Sequence, residues 1–229
     1  MTGDDEPDTV AEANDQPGDM GTPEPPPADD GDEPAEEPAE ADPTTAPDGD
    51  DSMCGLQAVE VDAEPLDEAP DTDWELLGQV FVPTSDEHGP GDDLEGTPIC
   101  FARTPEGALM AAASVLSIVG HPDHAANTIE HYPDNDTGRE AALEDYEERG
   151  AGADNDRWQV VAFEYLGFDG SSATIDLVIE NQNRQSAALM AELVWLDGDW
   201  RIRVNDDGSW LHDAVSVSNT AEYVPWEPN

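Results

Sequence analysis

Apolar positions are sparse across residues 1–70 and become periodic only from Trp74 onward. The run Trp74-Glu75-Leu76-Leu77-Gly78-Gln79-Val80-Phe81-Val82 reads as a strand that ends at Pro83-Thr84-Ser85, ahead of a Gly/Pro/Asp loop from His88 to Gly96. A helix follows, with Thr104 as N-cap and Pro105 at the first helical position. It runs through Leu109, Ala112, Ala113 and Leu116 and stops at Gly120. Because it is apolar almost all round, it should be the buried helix at the centre of the domain.

A second helix is expected over Pro122 to His131. A third is expected behind the capping box Thr137-Gly138-Arg139-Glu140, with Leu143 and Tyr146 or Glu147 at helical spacing and Gly150 as its stop. From residue 157 the period changes to two. Trp158, Val160 and Ala162 alternate with Val161, Phe163 and Tyr165; Ile175, Leu177 and Ile179 alternate with Thr174, Asp176 and Glu180; Leu189, Ala191, Leu193 and Trp195 continue the scheme. Leu196-Asp197-Gly198-Asp199-Trp200 reads as a tight hairpin, because Asp-Gly tolerates the positive φ of a type I′ turn, and it leads into Trp200-Arg201-Ile202-Arg203-Val204. Helices followed by a four-strand antiparallel meander define an α+β domain in which the helices pack on a curved sheet.

Charge separates this domain from what precedes it. The 229 residues carry 56 Asp and Glu against 7 arginines and no lysine, a formal net charge of −49, which excludes unaided binding to nucleic acid or attraction to anionic lipid. Residues 1–70 hold 24 of the acids, 12 of the 20 prolines, no basic residue and no aromatic one. Residues 1–52 are therefore expected to be a disordered Pro/acid-rich linker, and residues 53–229 a single α+β globular domain. A random coil of about 70 residues spans about 45 Å, and self-repulsion stretches it further. So carboxylate-rich a surface suits a high-salt setting, where screening weakens the repulsion. The chain contains no run of about 20 apolar residues, and Met1-Thr2-Gly3-Asp4-Asp5-Glu6 has neither the basic nor the apolar region of a signal peptide.

The helices-then-meander order with its closing hairpin resembles the cone-shaped fold of the nuclear transport factor 2 superfamily. Cys54-Gly55-Leu56, Trp74 to Gly78, Pro83-Thr84-Ser85, Gly89-Pro90-Gly91, Cys100 to Ala108 and Val194-Trp195-Leu196-Asp197-Gly198-Asp199-Trp200 together resemble an uncharacterised actinobacterial family, over about residues 52 to 226. That resemblance implies a membrane helix, a Pro/acid linker and this domain, in a setting of integrative conjugative elements. No such helix is read in these residues, and two expectations stand: a soluble chain, or one whose membrane segment is encoded upstream of Met1. The two cysteines, Cys54 and Cys100, fall at recurring positions of that family, which implies a disulfide between them in an oxidising compartment; the competing state is two free thiols in a reducing cytoplasm.

His121-Pro122-Asp123-His124, with His131 and Asp134 near by, is the one cluster that invites a metal reading, but its spacing is not that of a helical HExxH pair and the histidines read as solvated helix caps. Asp134-Asn135-Asp136 and Asp154-Asn155-Asp156 lack the glycine and distant glutamate of a calcium loop. The strand residues Glu164, Asp176, Glu192 and Tyr165 are the candidates for acid or base work in a cone pocket. Alternating acids on strands read instead as a wet face, and no histidine lies on those strands to pair with them. Trp158, Trp195, Trp200 and Trp210 read as core anchors, and Trp226 as a tail residue that either packs back or stays exposed. The expectation is a non-catalytic extracytoplasmic domain with no catalytic, cofactor-binding or metal residues. Its partners would be proteins of a transfer or secretion assembly, and it would bind no nucleic acid. The alternative is a secreted or cytoplasmic cone-fold protein that binds a small ligand or acts as an enzyme.

Overall fold

The structure is a computed structural model that describes residues 52–150 and 158–228, all within one compact unit. The expected linker lies outside the described residues except for Ser52, and so does Asp154-Asn155-Asp156. Ser52 already belongs to the domain: it is buried, and its hydroxyl accepts from the Leu56 amide at 2.6 Å.

The α+β class is observed, with α1 (Pro105–Ile118), α2 (Ala125–His131) and α3 (Asp136–Arg149) ahead of an antiparallel sheet. The strand expected over Trp74–Val82 is instead a hairpin, β1 (Asp73–Leu77) and β2 (Val80–Thr84). Gly78, at φ 64°, and Gln79 reverse the chain, so that Leu77 faces Val80 and Trp74 faces Pro83. The loop expected from His88 to Gly96 contains β3 (Asp92–Leu94), which turns into β4 (Thr97–Ile99) through Glu95 and Gly96 at φ 50° and 81°. Two positive φ values in a two-residue turn are the type I′ geometry that matches strand twist.

Helix α1 starts where expected. Thr104 Oγ1 accepts from the Gly107 amide at 3.0 Å, satisfying one of the orphan donors of the first turn, and every residue except Glu106 and Leu116 is buried. The helix ends at Ile118 on a right-handed Val119, and Gly120 takes no left-handed conformation. Helix α2 begins at Ala125, later than Pro122, after a turn in which the His124 amide bonds the His121 carbonyl. For α3 the cap is Asn135 and not the Thr137 box. Asn135 Oδ1 accepts from Gly138 N at 2.7 Å while its Nδ2 donates to Val204 O at 3.1 Å, so one side chain caps the helix and ties it to the sheet's end.

The expected meander is present as β5 (Trp158–Phe168), β6 (Ser172–Asn181), β7 (Ser186–Leu196) and β8 (Asp199–Ile202). Asp197 and Gly198, at φ 54° and 79°, make the β7–β8 turn. Bulges between Val160 and Ala162 and between Tyr165 and Gly167 break the alternation of β5, so that Val160 and Phe163, three apart, both join the inner core while Ala162 faces outward. The inner face presents Phe163, Ile175, Leu177, Ala191, Leu193 and Trp195 to α1, which on its other side buries Ile118 against Val80 and Val82.

After β8 the chain forms β9 (Val215–Val217), paired with β7, and β10 (Val224–Pro225), paired with β5. Between them it crosses the outer face of the sheet. Val217 and Tyr223 pack there on Ala162, Val178 and Ala188, a second small core.

Candidate interaction surface

The space between α1 and the sheet is filled by the protein's own rings. Trp200 is fully buried, with Trp195 at 5.3 Å and Phe168 at 5.9 Å, and its indole N–H donates to Ala102 O at 2.9 Å. Trp226 packs back: it lies 5.8 Å from Phe163 and 4.9 Å from Trp74, and donates to Thr72 Oγ1 at 3.0 Å. The Tyr165 hydroxyl donates to Pro105 O at 2.9 Å. Burial, then the Glu106 carboxylate, push its phenol well above the ordinary range, which keeps this inward candidate protonated as a hydrogen-bond donor.

Cys54 and Cys100 form the disulfide, with Cα atoms 6.1 Å apart. A Cβ on Gly91 would collide with Cys54 Sγ, which is why the Gly-Pro-Gly stretch carries glycine there. Cys100 has a left-handed φ of 65°, and that conformation turns its amide and the next one toward a single point. The Asp199 carboxylate occupies this point. It is fully buried and accepts from Cys100 N at 2.9 Å, Phe101 N at 2.9 Å, Trp200 N at 2.8 Å and His131 Nε2 at 2.9 Å. A buried carboxylate is tolerated only with its lone pairs filled, and here they are. Asp199 therefore joins the disulfide corner, the β7–β8 hairpin and the end of α2. The Met53 amide adds a bond to Gly198 O at 2.8 Å.

His121 accepts from the Asp123 amide at 3.3 Å ahead of α2, but His131 and His124 are not the solvated caps expected. His131 is committed to Asp199, and its carbonyl takes the Arg201 guanidinium. His124 is buried, bonds Thr97 Oγ1 at 3.2 Å, and is held below its ordinary pKa first by burial and then by the His121 ring 5.0 Å away. Asp134 accepts from Asn135 and Val204. These groups face separate partners, and among the described residues no three His, Cys, Asp or Glu side chains are placed to hold a metal ion.

Glu164, Asp176 and Glu192 lie on the outer face, as alternation requires, with Glu164 opposite Asp176 and Thr174 opposite Glu192. Two of them have partners from the tail. Tyr223 donates to Asp176 Oδ2 at 2.7 Å, and His212 Nε2 lies 2.8 Å from Glu192 Oε1. Desolvation, then the Asp176 bond, push the Tyr223 phenol up to about 12. The tail partners stand 47 and 20 residues from the acids they meet, so no spacing rule reveals them.

The crossing segment divides the outer face into two open grooves that share Val217. One, about 440 Å³, is lined by residues that include Val161, Glu180, Arg184, Thr220 and Glu227. The other, about 410 Å³, has Ala188, Met190, Val215 and Val217 as apolar lining, with Asp176, His212, Asp213 and Tyr223 around them. Val215 is 64% exposed, and Leu211 near by is also exposed.

The molecule is thus a disulfide-pinned α+β domain whose helix-facing interior is closed and whose outer sheet face is open. The chain belongs to the family described as a domain of unknown function (DUF8175), which matches residues 33–225 and so begins inside the expected linker. No curated protein and no solved structure matches it. The disulfide suits an oxidising, extracytoplasmic compartment, and no described helix is long and apolar enough to cross a membrane.

Proposed function

We propose that this is a non-catalytic interaction domain that works outside the cytoplasm, held off a membrane by the acidic segment of residues 1–52 and contributing to a conjugative-transfer or secretion assembly. The observation that carries the reading is the contrast between the two faces of the sheet: the interior is occupied by Trp195, Trp200, Phe163 and Trp226, while the outer face carries two open grooves, one of them lined by the exposed Val215. A surface of that kind suits protein contact. The actinobacterial, conjugative-element setting and the cone of the nuclear transport factor 2 superfamily belong to this proposal through the motif resemblance, which the α+β order and the Cys54–Cys100 bond support.

A second reading, an enzyme, draws on one observation, the His212–Glu192 pair beside Tyr223 and Asp176. The open groove argues against it, since acid–base work gains most from a water-excluded site. The deciding experiment is in-cell photo-crosslinking from the outer face, for example at Thr220, under oxidising conditions. Recovery of envelope or transfer components is expected. A small molecule co-purifying inside the folded domain, with no crosslinked protein, would replace the contact reading with the ligand or enzyme reading.

A further inference from the structure

We infer that the groove beneath β9 receives an extended, cationic protein segment whose apolar side chains rest on Val215, Val217, Met190 and Ala188 while its lysines or arginines meet Asp176 and Asp213. This rests on the contact reading above and specifies the partner.

Three observations support it. The first is the lining: a groove of about 410 Å³, open to solvent, brings the apolar Ala188, Met190, Val215 and Val217 together with the carboxylates of Asp176 and Asp213. Lysine and arginine have that same amphipathic form, an aliphatic stem below a charged head.

The second is the accounting of cations. Six of the seven arginines lie among the described residues, and each is already engaged within the chain. Arg103 bonds Gly170 O and lies over Trp195; Arg139, Arg149 and Arg184 pair with Asp136, Asp145 and Glu180; Arg201 bonds His131 O; Arg203 is 3.9 Å from Glu192. Asp213 is exposed and has no partner among the described residues, and Asp176 has only the neutral Tyr223 hydroxyl. Among the described residues neither carboxylate has a cationic partner, so both are open to one from another chain.

The third is what the whole charge rejects. A second copy of a chain at −49 brings like charge to the groove, as does any acidic protein, and like-charge juxtaposition at an interface costs several kcal/mol.

The test uses the full chain with its disulfide intact. It is titrated with a peptide of alternating lysine and leucine, and separately with the counterpart carrying glutamate for lysine, following backbone amide shifts. The lysine peptide should shift Ala188, Met190, Val215 and Val217. Asp176→Asn with Asp213→Asn, which keeps an acceptor for Tyr223, should weaken binding about tenfold, since charge pairs at an interface are worth that much. Glu144→Gln with Glu148→Gln on exposed α3 removes the same charge and should change it less than about twofold. Val215→Ser, exposed and safe for folding, should also weaken binding and leave the melting temperature unchanged. Equal weakening by both acid pairs, shifts scattered over the surface, binding of the glutamate peptide, or no binding at all would each overturn the inference. If crosslinking recovers a protein through another face, the contact reading survives and this groove assignment fails; if it recovers none, both fail.

Discussion

Asp199 ties three parts of the described structure together through one side chain. Four donors converge on a carboxylate with no exposed surface, and three of them are amides whose only alternative partner is water that cannot reach them. Removing one member of a buried charged network leaves the rest unpaired, so Asp199→Ala should lower stability by about 3–5 kcal/mol in denaturant titration. His131→Ala leaves the three amide bonds in place and should cost less, about 1–3 kcal/mol. Equal losses for the two would refute this hierarchy. Two other side chains set pH limits. Asp169 is held down to about 2 by the backbone and hydroxyl donors of Ser171 and then those of Ser172 in the β5–β6 turn. A depressed carboxyl contributes stability that is present above its ordinary pKa of about 4 and is lost as pH falls through about 2. Tyr223 works in the opposite sense, because its raised phenol contributes below pH 10 and loses that contribution as pH rises through about 12. Carboxyl and phenol titrations followed by NMR should place the two midpoints there, and ordinary midpoints would show that the turn and the crossing segment are loose.

At the scale of elements, the helix starts discriminate between cap assignments. Asn135 caps α3 and also bonds Val204 O, whereas no cap bond reaches Thr137. Asn135→Ala should therefore cost about 1–2 kcal/mol and Thr137→Ala close to nothing, measured by thermal unfolding. The reverse order would restore the capping-box reading. The strands β6 and β7 were legible in the sequence because their alternation is sustained over 10 and 11 residues, and α1 because Thr104 and Pro105 open a long apolar run. The first hairpin was not: Leu77-Gly78-Gln79-Val80 has apolar residues on both sides of a two-residue turn, so its pattern runs on unbroken. The strands β9 and β10 are too short to show a period and exist because β7 and β5 offer them edges.

For the whole molecule, the Cys54–Cys100 bond spans a sequence separation of 46 and holds the start of the domain against the sheet's hairpin. On the chain-entropy view such a loop is worth about 4 kcal/mol. Cys54→Ser and Cys100→Ser should each lower the melting temperature of unreduced protein, and the double variant should match the singles, since each removes the same bond. Additive losses, or two free thiols by mass, would contradict the bridge. Charge acts on the molecule as a whole. With −49 overall and 32 acids against 7 arginines in residues 71–229, mutual repulsion opposes the folded state. Raising salt from about 0.1 M to about 1 M shortens the screening length from about 10 Å to about 3 Å and should raise the melting temperature. A flat or falling response would show that the carboxylates are already well separated.

The sequence alone determined the α+β class, the capped and buried α1, the four-strand meander and its Asp-Gly turn, because each follows from local period, cap or turn chemistry. The pairing of the cysteines was readable only through the motif set around them. Tertiary structure alone decided the roles of the polar side chains. Asp199 looked like one more turn residue, yet the left-handed Cys100 aims two amides at it from 98 and 99 positions away. His131 became its partner, and His212 and Tyr223 joined strand acids, through contacts no spacing encodes. The grooves exist because the tail crosses the outer face at Val217 and Tyr223, and that crossing depends on which strand edges were left open once the sheet had formed.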